Sequence, residues 1–324
     1  MRKKKMMNRY HYIKNIVLLA TMLLAACGSG SDSFDDEPQN VADNASLQEI
    51  RLNANVWRMM EGTRATTYDN QAALRTVAYF TCYAYTAGTP TPYINGSGVT
   101  YAASEWSFID GKHYWPASGN LDFFAYISSE VPTYITDMED HPGQVSYYVR
   151  DPQFKCVMPM TNSGQNIINE FIYAIATEQN KADQGATGVN LTFQHPFTKI
   201  ILKLSSTQAD IEINKITLKT IKDHGTYSDD RGWSTTGDAT NFVAEYSGTK
   251  SANADLGTFL MIPQAWTGNI EVEATWIDWG ISMKHTLTTK VDAVDWAPGT
   301  SYTYTFTITE TDLIVSSSKY TEQW

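Results

Sequence analysis

Three things are scarce in this chain of 324 residues, and each scarcity closes a class of function. Only three cysteines and six histidines occur, and none falls in a spacing that grips zinc. There is no Gly-x-Ser-x-Gly elbow and no phosphate-cradling glycine loop, and Asp229, Asp230 and Asp238 lack the spacing of a calcium loop. The linear sequence therefore carries no sign of an enzyme, and no cofactor or metal is expected. Long apolar runs are the second scarcity. The longest uncharged apolar segment near the start, Ile16 to Ala26, has eleven residues, whereas a transmembrane helix needs about 20. Basic residues are the third. Six of the 24 stand in the first fourteen positions, so the rest of the chain sets 18 basic side chains against 35 acidic ones, a net of −17. Such a surface repels nucleic acid, which is excluded as a partner, and it repels anionic lipid headgroups.

What is present begins at the N-terminus. The basic head Arg2, Lys3, Lys4, Lys5, Arg9 and Lys14, followed by the short apolar run, has the layout of a secretory signal peptide over residues 1–26. The run ends in Leu24-Ala25-Ala26-Cys27, which resembles a bacterial lipobox, where the peptide is cut before the cysteine and the thiol takes lipid. Cys27 is thus the expected acylation site, and acyl chains contribute about 0.8 kcal/mol per buried methylene to membrane retention. Residues 27–46 are rich in Gly, Ser, Asp and Asn with almost nothing to bury, as expected of a flexible acidic leash. Ser31-Asp32 and Asp35-Asp36-Glu37 resemble the acidic signal that sends some lipoproteins to the outer face of an outer membrane. The expected location is the cell surface.

From residue 50 onward the dominant period is two. Tyr302, Tyr304, Phe306 and Ile308 alternate with threonines, and Ile270, Val272, Ala274 and Trp276 alternate with Glu271, Glu273 and Thr275. Ile281, Met283, His285 and Leu287 repeat the pattern, so each segment is expected to be a half-buried antiparallel strand. Turn chemistry at Asn95-Gly96, Ser118-Gly119, Thr267-Gly268 and Pro298-Gly299 separates them. The class expected is all-β, with two tandem antiparallel β-sandwiches at 47–181 and 182–309 and a tail at 310–324. Two strands break phase: Pro196 separates Val189-Leu191-Phe193 from Ile200-Leu202-Leu204, as two strands or one with a bulge, and Ile211-Ile213 slips by one before Ile216-Leu218. Leu121 to Ile127 is apolar on both parities except at Asp122, which suits a strand covered on both faces. Residues 165–177 fit a short helix or a strand. Cys82 and Cys156 lie in strand-like sequence and suit two buried free thiols; a disulfide between them would need Cα atoms within about 7 Å.

Several segments together resemble the fimbrillin family, subunits of outer-membrane pili built from two transthyretin-like β-sandwiches. They are Thr63-Arg64-Ala65-Thr66, Tyr114-Trp115-Pro116 with Leu121 to Tyr126, and Val189 to His195 running into Thr198-Lys199-Ile200. Gly225-Thr226-Tyr227-Ser228, Leu260-Met261-Ile262-Pro263-Gln264 and Trp296 to Tyr302 follow in the family's order. His195-Pro196-Phe197 departs from the family pattern, which more often has a small or aliphatic residue after the histidine.

Ile50, Leu52, Ala54 and Val56 form the apolar parity of a first strand, and a loop at Met59 to Thr67 follows it. The resemblance implies that an arginine- or lysine-specific protease cuts in this loop, at Arg64–Ala65 or alternatively after Arg58, and that the first strand is then lost. The emptied trench would need another strand. The tail supplies a candidate donor, with Leu313 and Val315 on one parity and Tyr320 and Trp324 as aromatic anchors. The implied partners are other fimbrial subunits, the processing protease and the outer membrane reached through the lipid. An anchor or tip subunit is an alternative. So is a surface glycan-binding lipoprotein in which Trp106, Trp233, Trp276 and Trp279 stack on sugar rings. Of the histidines, His195 and His285 lie in strand patterns where a core imidazole is expected.

Overall fold

The computed structural model describes residues 47–56, 71–86, 89, 91–127, 135–138, 153–162, 170–206, 211–250, 253–309 and 312–323. The first half of the chain forms β1 (Leu52–Val56), β2 (Phe80–Thr86), β3 (Pro92–Ala102), β4 (Glu105–Phe108), β5 (Leu121–Ile127), β6 (Ile135–Met138), β7 (Gln153–Val157), β8 (Thr161–Asn162), β9 (Ile172–Gln179) and β10 (Val189–Phe193). Among the described residues two one-turn helices interrupt it, α1 (Gln71–Leu74) and α2 (Lys181–Gln184). The second half forms β11 (Thr198–Ser206), β12 (Ile211–Ile221), β13 (His224–Ser228), β14 (Gly232–Thr236), β15 (Thr240–Glu245), β16 (Thr249–Lys250), β17 (Asn253–Met261), β18 (Ala265–Trp266), β19 (Asn269–Asp278), β20 (Ile281–Lys290), β21 (Val294–Asp295), β22 (Thr300–Ile308) and β23 (Leu313–Gln323). The protein is all-β, as the period-two pattern requires.

Seven strands in the order β10-β1-β4-β3-β2-β5-β9 make the N-terminal sheet. Its two ends meet, because Tyr173 of β9 and Gln194, just after β10, exchange backbone hydrogen bonds of 3.2 and 2.7 Å. The sheet thus closes into a barrel, joined at this one bridge. Closure removes the exposed edges that an open sheet presents. One parity of every strand points inward, giving a core of Ile50, Leu52, Ala54 and Val56 with Phe80, Trp106, Phe123, Ile172, Leu191 and Phe193. The remaining parity of β5 is also covered. Phe124 packs outside the barrel with Tyr173, Phe154, Phe171, Phe197 and Tyr227, which accounts for a strand apolar on both faces. Phe154 and Tyr227 come from the small sheet β14-β13-β7-β6, so this aromatic layer joins the barrel to the rest of the chain.

The C-terminal core lies between the four-stranded sheet β17-β11-β22-β23 and the larger sheet β20-β19-β12-β15-β8. The phase breaks in the sequence are physical. Val189–Phe193 and Thr198–Ser206 are separate strands in different sheets, and β12 shifts register between Ile213 and Lys215 where it meets β19. Residues 172–179 are strand, and the polar segment after them is the short helix α2, whose N-cap Asn180 accepts from the backbone N–H of Asp183 at 3.0 Å. Three pairings, β1–β10, β11–β22 and β15–β8, are parallel. A period of two does not distinguish these from antiparallel pairs.

One expectation fails at β20. Its antiparallel pairing with β19 is present, but Ile281 and Met283 are exposed rather than set in the core. The β19–β20 hairpin runs past the sheet that covers its base, and apolar alternation shows which face a residue shares, not how far the opposing layer extends. Cys82 and Cys156, the two cysteines among the described residues, are buried free thiols, and burial pushes the pKa of each well up.

Candidate assembly site

β1 is an internal strand of the closed barrel. Along one side it runs parallel to β10 in a five-residue register from Leu52↔Val189 to Val56↔Phe193, and on the other it meets β4 at Leu52↔Trp106. The chain just before it is fastened as well: Ile50 N–H donates to His113 O at 2.8 Å, Trp115 N–H to Gln48 O at 2.9 Å, and Val189 N–H to Arg51 O at 2.8 Å. On the outer face Asn53 Nδ2 donates to Thr187 O at 2.7 Å and to Asn190 Oδ1 at 3.3 Å. Gly188 at φ +84° is required there, since a Cβ would stand 3.2 Å from Arg51 O.

All four inward side chains of the segment, Ile50, Leu52, Ala54 and Val56, are buried. They differ in size: α1 packs against β1, Gln71 Nε2 donates to Ala54 O at 2.8 Å, and Ala54 is the smallest of the four inward side chains, between Leu52 and Val56. Taking β1 away would convert the barrel into an open sheet with two facing edges, β10 and β4.

The tail is strand β23, antiparallel to β22 from Ile308↔Leu313 to Thr300↔Gln323, with a break of register at Thr300/Ser301. Tyr320 is within it, opposite Ser301. The turn before it is tied by Thr309 and Asp312: Thr309 N–H donates to Asp312 O at 3.0 Å, and Asp312 N–H to Thr309 Oγ1 at 3.1 Å. β23 is the edge of its sheet. Leu313 is buried in the C-terminal core and Val315 packs against it, but Ile314 and residues 316–319 are exposed. From Ser316 to Lys319, backbone pairing rather than side-chain burial holds the tail. Cys27, Arg58, Arg64, Ala65 and Trp324 lie outside the described residues.

The four tryptophans considered as sugar platforms separate sharply. Trp106 and Trp276 are core residues, and Trp233 is half-buried in the aromatic layer with its Nε1–H donating to Pro196 O. Trp279 alone of the four is exposed, at 94%. His195 is a core imidazole, its Nδ1 2.5 Å from Glu170 Oε1 with both side chains buried. His285 is half-buried and stacks on Trp276 with ring centroids 3.6 Å apart. Sequence reasoning passed over Glu170, whose signal was a lone acid next to Phe171 and Ile172 in an apolar run. It also passed over the Tyr173–Tyr227–Asp229 chain, in which the tyrosine hydroxyls are 2.5 Å apart and burial pushes the Tyr173 pKa up. Among the described residues no helix is long and apolar enough to cross a membrane, and no group of three or more His, Cys, Asp or Glu could hold a metal ion.

Comparison with known proteins points one way. A family model described as fimbrillin-like matches residues 63–324. The fold is similar to that of a fimbrial protein from Bacteroides vulgatus, with 14% identity, a TM-score of 0.59, and coverage of 86% of this chain and 99% of that one. It is also similar to two proteins assigned to cell adhesion. The one from Bacteroides ovatus has 15% identity, a TM-score of 0.56 and coverage of 86% and 98%; the one from Bacteroides uniformis has 16%, 0.53 and 87% and 99%. No curated protein matches the chain.

Proposed function

Since this chain belongs to the fimbrillin-like family, we propose that it is a structural subunit of a cell-surface fimbria that serves adhesion and polymerises by exchange of strands. Export is as a lipoprotein acylated at Cys27, which carries it to the outer membrane. An arginine- or lysine-specific protease then cuts at Arg64–Ala65, or after Arg58, β1 leaves, and the tail of another subunit enters the vacated place. The two domains of the reading divide the work: the N-terminal one receives and the C-terminal one donates.

The observation that supports this most is the asymmetry between the two strands. Residues 50–56, with β1 at their centre, fill an internal gap with four buried side chains, whereas β23 is an edge strand in which, of residues 313–319, only Leu313 is buried. Burial of a medium apolar side chain is worth roughly 1.5 kcal/mol or more, so an empty gap forfeits several kcal/mol out of a total stability of about 5–15, and a refilled one recovers much of it. Residues 313–319 of the tail give up less side-chain burial on leaving their own sheet. The glycan-binding alternative has a single exposed ring, Trp279, with none of the other three beside it at the surface.

Limited trypsin digestion of the purified chain tests the reading. Concentration-dependent, SDS-resistant ladders and a new N-terminus at Ala65 are expected. A digested protein that stays monomeric, or molecules from cells that all retain acylated Cys27, would move the assignment to an anchor subunit or a binder.

A further inference from the structure

The gap left by β1 has a shape, and that shape fixes how a tail can enter it. Reading along residues 50–56, the four inward positions are large (Ile50), large (Leu52), small (Ala54) and medium at the last residue of β1 (Val56), the most exposed of the four at 7%. The small position is enclosed, with Ala54 buried in the barrel core and Gln71 of α1 donating to its carbonyl oxygen. The tail has two parities: Leu313, Val315, Ser317, Lys319 and Ile314, Ser316, Ser318, Tyr320.

We propose that the tail of a second copy enters in the direction of β1, parallel to β10, with Leu313 in the place of Ile50, Val315 in that of Leu52, Ser317 in that of Ala54 and Lys319 in that of Val56, so that Ser317 sets the register. This rests on the strand-exchange reading above. Each competing placement puts a wrong side chain in a buried position. Advancing the tail by two residues sets the Lys319 ammonium in the small position, where an unpaired charge is severely disfavoured. Retarding it by two sets Val315 there, adding two methyl groups to a buried position that now holds only the Ala54 methyl group. The other parity in the same direction either buries Asp312 at the place of Ile50 or leaves serine in the wide place of Leu52. Entry in the reverse direction on the first parity buries Lys319 at the place of Ile50, or sets Leu313 or Thr311, a branched side chain as bulky as valine, in the narrow place of Ala54. On the second parity it leaves serine in the place of Leu52, opening a cavity, or buries Asp312 in the place of Leu52 or Ala54. The chosen register alone sets two aliphatic side chains in the two wide positions and a small one in the narrow position. Lys319 then falls at the end of the strand, where its aliphatic stem lies along apolar surface and its ammonium reaches water.

In the isolated subunit Ser317 and Ser318 are both exposed, so substitutions there leave its core untouched. The register also names a pair outside the core. Asn55 stands opposite Thr192 of β10, and in the exchanged complex Ser318 would take the place of Asn55. Two single variants, T192C and S318C, are therefore made in separate copies. The T192C copy is trypsin-processed, the two are mixed, and the mixture is oxidised and run on non-reducing gels. A disulfide-linked pair containing one of each, lost on reduction, is expected; V315C in place of S318C should link at least tenfold less. Linkage through V315C and not S318C would show reverse entry and overturn the proposal, and so would ladders that link through neither. S317W should cut ladder formation more than tenfold while the monomer's circular dichroism and melting stay as before, and S316W, on the outer parity, should not. Ladders from S317W as strong as from the unaltered chain would overturn the register. Absence of any ladder from the unaltered processed chain overturns the strand-exchange reading itself, and this inference with it.

Discussion

His195 and Glu170 face each other at 2.5 Å with side chains only 2% and 1% exposed, at the point where the chain crosses from the barrel to the C-terminal sandwich. Removing one partner of a buried pair strands the other without compensation, a cost of about 3–5 kcal/mol. H195A should therefore lower the unfolding free energy by that order in urea titration, and a change under 1 kcal/mol would show the pair to be dispensable. That His195 would be a core residue was readable from its place in a strand pattern. Its partner was not, because the two are 25 positions apart and nothing local couples them. A second residue-scale effect concerns acid. Glu273 bonds to Lys215 and Lys284, which hold its carboxyl below the usual range. A depressed folded pKa adds stability that is fully present above the unfolded value and lost as pH falls through the folded one. Melting temperature should thus drop on acidification through the carboxylate range. In E273Q part of that slope should disappear, with the two proteins converging at the acid end. Both thiols, buried and with raised pKa, should stay unreactive toward an alkylating reagent at neutral pH until the protein is unfolded, as mass spectrometry of the labelled chain would report.

Among the elements, the β19–β20 hairpin breaks a local rule. Its two-residue turn places Trp279 at φ +51° and Gly280 at φ +76°, the arrangement in which Asn-Gly is favoured and a bulky first residue is strained. W279N should raise stability by about 0.5–1 kcal/mol in thermal melts, since the ring is exposed and its removal uncovers nothing. A fall in stability would mean that the ring makes contacts after all. Deleting residues 310–324 should leave a folded monomer with a lower melting temperature, because β22 loses its neighbour and the core loses Leu313, and should abolish ladders. Element by element, sequence went far: the slip in β12, the break at Pro196 and the double coverage of β5 were all written in side-chain parity. Parity names faces, however, and never partners. That β1 lies beside β10, more than 130 residues later, depends on closure of the barrel, which no local pattern encodes. The tail likewise reads as surplus chain, yet it is folded along β22, because an open sheet edge accepts any chain of suitable length that returns to it.

At the scale of the whole molecule, one covalent path links the place a tail would fill to the place a tail would leave. β10 borders β1, continues through Gln194–Phe197 into β11, and β11 runs parallel to β22, whose chain leads on into the tail. Around that crossing sit the Glu170–His195 pair and the ring of Phe154, Phe171, Phe197, Tyr227 and Trp233, which stiffen the passage. In the strand-exchanged filament proposed above, a pull from its two ends would drag every ladder along this route lengthwise, with all its bonds resisting together instead of parting one at a time. Tension would then be borne by sliding resistance, and a cell tethered in flow would hang by it.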